Sequence, residues 1–164
     1  MPWPETDVLR PGTEPVDAIS LVRIDFETVD GVVAKYWDVS HDDDPGRRRE
    51  REELGREVCR RVRDYLALEE AFVRAVEGTV ADSDLLREMR AGQGRALELV
   101  AAIEQAPPDH LQRDAAVRVL GDFMLRHADG EREGVFKHVA ASRINLFELG
   151  EQLRRQRAEA FAQR

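Results

Sequence analysis

The chain is poor in the residues that carry most extracellular and catalytic architectures. It has one cysteine, Cys59, so no intrachain disulfide is available and a reducing cytoplasm is the expected compartment. Aromatic residues make up only 6% of the 164 positions. No apolar run approaches the roughly eighteen residues a membrane span needs, and the amino terminus, MPWPETDVLR, lacks the basic stretch and apolar block of a secretion signal. No Ser-His-Asp order, phosphate-cradling glycine loop or CxxC occurs. Positive charge is also in deficit: 25 Lys and Arg against 33 Asp and Glu leave a net charge of −8, which repels phosphates and argues against a nucleic-acid partner.

What remains is a chain of one-domain length with 42% hydrophobic and 35% charged residues, enough for a sizeable core. Four of the seven prolines, Pro2, Pro4, Pro11 and Pro15, fall in residues 1–15, which read as an extended arm that Trp3 could tuck onto the body. Residues 16–164 read as a helical domain. A first helix, about 16–37, places Ile19, Val22, Phe26, Val29, Val33 and Tyr36 at alternating spacings of three and four. A second, about 46–77, follows a turn in which Asp44 is the expected cap and Pro45 suits the first turn. Its seam is Leu54, Val58, Val62, Tyr65, Glu69, Phe72 and Val76. A third, about 84–105, carries Leu86, Met89, Gln93, Ala96, Val100 and Ile103; Gly92 and Gly94 flank the glutamine, weaken the helix locally, and could either leave a cavity beside it or allow close helix packing. A fourth, from about 109 to 139, carries Val117, Leu120, Met124, His127, Glu131 and Val135. A short last helix has Asn145 and Glu148 at capping-box spacing and Leu149 and Leu153 on its apolar side. The basic clusters at 47–51 and 60–63 alternate with glutamates and read as a solvated face with i,i+4 pairs.

Long amphipathic helices joined by short loops predict an all-α, up-down-up-down antiparallel four-helix bundle with a short extra C-terminal helix. Its peculiarity is a polar residue near the middle of three apolar seams: Glu69, Gln93, and His127 with Glu131 one turn on. In such a bundle these positions can meet inside, where an unpartnered charge is costly.

The order of these motifs resembles the hemerythrin-like (HHE cation-binding) family, from Ala18 to the last helix. The matching stretches are LVRIDFETV (21–29), RDYLALEEAF (63–72), AGQGRALELV (91–100), HADGEREGVF (127–136) and INLFELGEQLRRQRAE (144–159). That family holds two irons with histidine nitrogens and bridging carboxylates drawn from four helices. The resemblance implies that the first-helix histidine is replaced by Phe26. The second-helix histidine aligns with Tyr65, with Glu69 kept four residues on; a one-residue shift would put Asp64 and Leu68 there instead. The third-helix histidine is replaced by Gln93, and only the fourth helix keeps its pair, His127 and Glu131.

With three imidazoles gone, a diiron pair lacks donors. The expectation is a degenerate centre. Phe26 acts as a plug, Tyr65 and Gln93 form either a hydrogen-bond network around Glu69 or a small-molecule pocket, and no cofactor is expected. The alternative is a residual site in which Glu69, His127 and Glu131 hold one iron or another divalent ion and handle oxygen, nitric oxide or iron. The first reading makes the chain a non-enzymatic binding or interaction protein whose partner is an unidentified small molecule or protein, homo-oligomers included. A further idea is partner binding through Leu149, Leu153 and Phe161 of the last helix. His41, His110 and His138 are given no role, and Cys59 reads as a small core residue rather than a nucleophile.

Overall fold

A computed structural model describes residues 14–40, 44–107 and 110–163, and no strand occurs among them. Residues 1–13 of the arm, Trp3 among them, as well as His41 and the Pro108–Asp109 part of the turn before the fourth helix, lie outside the described residues. The chain forms α1 (Ala18–Ser40), α2 (Pro45–Val76), α3 (Ser83–Gln105), α4 (His110–Glu133), α5 (Val135–Ala140) and α6 (Leu146–Ala162). Among the described residues, no helix is long and apolar enough to cross a membrane.

The helix starts are chemically explicit. The Asp17 carboxylate accepts from the Ser20 amide at 2.9 Å and the Ser20 hydroxyl at 2.7 Å, which starts α1. Asp44 accepts from the Gly46 amide and Pro45 follows in the first turn of α2, as the sequence predicts. Asp82 accepts from the amides of Asp84 and Leu85 ahead of α3. Asn145 accepts from the Glu148 amide at 3.1 Å ahead of α6.

Two elements depart from the sequence expectation. The fourth helix does not run unbroken to Val139; it stops at Glu133 and restarts at Val135. Gly134 between them leaves helical geometry, with φ −108° and ψ −92°. A Cβ at Gly134 would lie 2.7 Å from Leu85 Cδ2 and 3.0 Å from the Gly130 carbonyl oxygen, so the missing side chain is what lets the chain turn against α3. The last helix, expected to be short, has 17 residues. Its Leu149 and Leu153 are buried in the core, so they do not form an exposed docking face; Phe161 does stay exposed. They face inward because α6 packs along α1 and α2 and uses its apolar side to do so.

The predicted seams form the core. Val22, Val29, Val33 and Tyr36 of α1, Val58, Val62, Tyr65, Phe72 and Val76 of α2, and Leu86, Met89, Ala96, Val100 and Ile103 of α3 are buried together with Val117, Leu120 and Met124 of α4. Each fully buried aliphatic side chain of this kind contributes on the order of 1.5–3 kcal/mol. α1 packs against α2, α4 and α6; α2 also packs against α3, and α3 against α4. Outside the core, Arg49–Glu53, Arg61–Glu57 and Arg74–Glu70 pair at i,i+4, each worth roughly 0.3–0.5 kcal/mol. Arg51 is the exception among the basic cluster: it is buried, and its Nη1 donates to the Ser40 carbonyl at the end of α1.

Candidate functional site: a buried carboxylate pair beside a cleft

The polar interruptions of the three seams come together. Glu69 of α2 is fully buried, and both of its oxygens receive protein donors. Gln93 Nε2 of α3 donates to Oε1 at 2.8 Å. Tyr65 Oη, one turn before it on α2, donates to Oε2 at 2.9 Å. His127 Nε2 of α4 donates between both oxygens, at 2.8 and 2.9 Å. Glu131, one turn beyond His127, is 4% exposed; its Oε1 stands 3.2 Å from the Tyr65 hydroxyl, and its Oε2 is buried without a hydrogen-bond partner among the described residues. Phe26 of α1 is half-buried and meets the Tyr65 ring edge-on at a centroid distance of 5.8 Å.

The second-helix alternatives separate in space. Tyr65 and Glu69 face the cluster, whereas Leu68 joins the apolar core and Asp64 lies near Asp25, whose pKa is raised by burial with the Asp64 charge adding to it. His138 is exposed and turns away, its Nδ1 donating to the Gly134 carbonyl at 3.1 Å. Burial, with the Glu104 charge adding to it, pushes the Cys59 thiol up to about 11, which leaves it protonated and a poor nucleophile.

The two carboxyl groups are driven apart in acidity. Burial pushes Glu131 well above the usual carboxylate range, and its hydrogen bond to Glu69 and the charge there push the same way. At Glu69 burial also acts upward, but hydrogen bonds from Glu131, His127 and Gln93 outweigh it and hold the group below its ordinary value. Glu69 is therefore the anion and Glu131 the acid of the pair, as expected for two carboxyls that share a buried site. Burial, then the neighbouring Glu69 and Glu131, raises the Tyr65 phenol far above its ordinary value, so Tyr65 stays a neutral donor.

Three features take their place in the site only in the structure, the glycine and the cavity having been open alternatives in the sequence. Gly92 faces the His127 ring: a Cβ there would lie 2.5 Å from Nδ1 and 2.8 Å from Cε1. Phe123, outside the predicted seam, stacks on the same ring at 6.1 Å and 15°. Between α3 and α4 a cavity of about 150 Å3 opens beside the cluster, lined by Leu85, Glu88, Met89, His127, Gly130, Glu131 and Val135. The signals were present only as a glycine on a helix face and as residues flanking the seams. A second polar contact lies toward the other end of the helices, where the Tyr36 hydroxyl donates to Asp114 and ties α1 to α4.

Comparison with protein-family models, with curated proteins and with solved structures returned no match, so functional inference rests on the chain's own residues.

Proposed function

We propose that the chain is a hemerythrin-like, up-down-up-down antiparallel bundle that has lost its two-iron centre and acts as a non-enzymatic binding protein. Register supports the topology. Phe26 meets Tyr65 while Tyr36 meets Gly55, and Glu104 pairs with Arg63 while Arg90 pairs with Glu77. Gly92 meets His127 while Leu85 meets Gly134. In each consecutive pair from α1 to α4, residue numbers rise on one partner as they fall on the other.

The observation that carries the loss of iron is the convergence of Tyr65, Gln93 and His127 on Glu69. Two irons do not fit this donor set. Phe26 offers no ligand atom, Tyr65 is held neutral, the Gln93 amide is engaged as a donor, and the inward nitrogen of His127 is already bonded to Glu69. A protein-only network satisfies the buried anion, as such interiors require.

One observation favours a second reading. Among the described residues, donor atoms of Glu69, His127 and Glu131 lie within 4.8 Å of one another, and Glu131 Oε2 is unpartnered. These three residues would hold a single divalent ion, which when bound would supply a Lewis-acidic or redox centre with open positions. The His127–Glu69 hydrogen bond would have to give way to it.

Metal analysis of protein purified from iron-supplemented medium separates the two. We expect sub-stoichiometric metal and an unchanged melting temperature under chelator. One equivalent of iron or zinc, lost in His127→Ala, would establish the single-ion reading instead.

A further inference from the structure

The binding-protein reading leaves its ligand unnamed, and the α3–α4 cleft supplies a chemical class. The cavity has about the volume that holds a benzene-sized body. Its walls pair an apolar surface, Leu85, Met89 and Val135, with carboxyl groups at two depths. Glu88 is exposed at the rim, and Glu131 is buried at the inner wall. Met89 adds an unbranched, adaptable side chain that can close on an irregular guest. Glu131 is also where the protein's own hydrogen bonding is incomplete. Its Oε2 is an acceptor buried without a partner, a feature that in native structures calls for an explanation. Its neighbours are the Tyr65 phenol, at Oε1, and the Glu69 carboxylate, to which it is hydrogen-bonded, while the imidazole is bonded to Glu69. The wall therefore presents an acceptor oxygen without a protein donor at the end of an apolar slot, on a carboxyl group that a bound cation would ionise, its proton passing to solvent, in a chain of net charge −8.

We propose that the cleft binds a small organic cation, a primary ammonium or amidinium on a compact apolar body, whose N–H donates to Glu131 Oε2 while the body packs on Leu85, Met89 and Val135. This rests on the metal-free binding-protein reading. Apolar burial supplies the drive and the charge-assisted hydrogen bond the selectivity. Glu88 at the rim attracts the cation without contacting its buried end.

The test is calorimetric titration of chelator-treated full-length protein with benzylammonium chloride, with benzyl alcohol as the neutral isostere and with iron(II) in a parallel titration. Saturable benzylammonium binding is expected, at least about tenfold tighter than benzyl alcohol. Glu131→Gln should weaken it by a similar factor. Gly130→Leu provides a control that spares the polar cluster. A Cβ at Gly130 meets nothing within 4 Å and Gly130 lines the cavity, so the variant should fold, with its side chain occupying the cleft and abolishing binding. Equal binding of benzyl alcohol, unchanged binding in Gly130→Leu, or no saturable binding to the wild type would each overturn the proposal. Stoichiometric iron uptake would sink the metal-free reading by itself, whatever benzylammonium does, so the two failures are distinguishable.

Discussion

At the scale of single residues, two glycines on one helix have opposite expected effects. Gly92 and Gly94 both weaken α3 by lacking a side chain, and replacing either by alanine gains up to about 1 kcal/mol of helix propensity. A Cβ at Gly94 meets nothing within 4 Å, so Gly94→Ala should stabilise the protein by roughly 0.4–1 kcal/mol. A Cβ at Gly92 would overlap the His127 ring and drive Nε2 off Glu69. Overpacking costs about 1–3 kcal/mol, and losing a hydrogen bond to a charged group about 1.5–3 kcal/mol more, so Gly92→Ala should be clearly destabilising. Urea denaturation of the two variants checks this, and equal stabilities would show that His127 is not held by the space at Gly92. That space could not be read from the sequence, which is equally compatible with a local weakening, a cavity or close helix packing.

At the scale of elements, α6 is a structural member of the core. Its Arg157 reaches Asp25 of α1 at 2.7 Å, and its Leu153 is 1% exposed. Truncating a leucine at such a site costs about 2–5 kcal/mol, so Leu153→Ala should lower stability by that amount in the same urea assay. A loss of under about 1 kcal/mol would make α6 a peripheral appendage. The i, i+3, i+4 pattern foresaw that Leu149 and Leu153 share a face, but a pattern within one helix does not say whether that face meets its own bundle or a partner. The break at Gly134 has a similar origin. Locally the fourth-helix pattern continues to Val139, and it is the approach of Leu85 from α3 that makes the glycine a stop.

At the scale of the whole molecule, the carboxylate pair ties stability to pH. Glu131 has a folded pKa raised above its unfolded value of about 4.5, so the stability it contributes is present below that value and lost as pH rises through the folded pKa. Glu69, with its pKa lowered, acts the other way, contributing above 4.5 and losing its contribution as pH falls through its folded value. The groups around Glu131 are Tyr65 and Glu69 from α2, His127 from α4, and Glu88 from α3 across the cavity. Above about pH 5, then, metal-free wild type should lose stability with rising pH more steeply than Glu131→Gln, which cannot ionise. Melting temperatures across that range measure it, and parallel profiles would mean that Glu131 is ionised in the folded protein.

The helices, their caps and the residues of their buried faces were determined by the sequence, because periodicity and capping are properties of one short stretch of chain. The presence of Glu69, Gln93, His127 and Glu131 in those faces was also fixed there, and with it the certainty that the core would have to accommodate charge. Tertiary structure decided which donor meets which oxygen, that Tyr65 and Glu69 face the cluster while Leu68 packs in the core, that Glu131 keeps an unpartnered oxygen, and that a cleft opens beside it. Those are distances between atoms on different helices, set by how side chains interlock across the bundle, and no local pattern contains them.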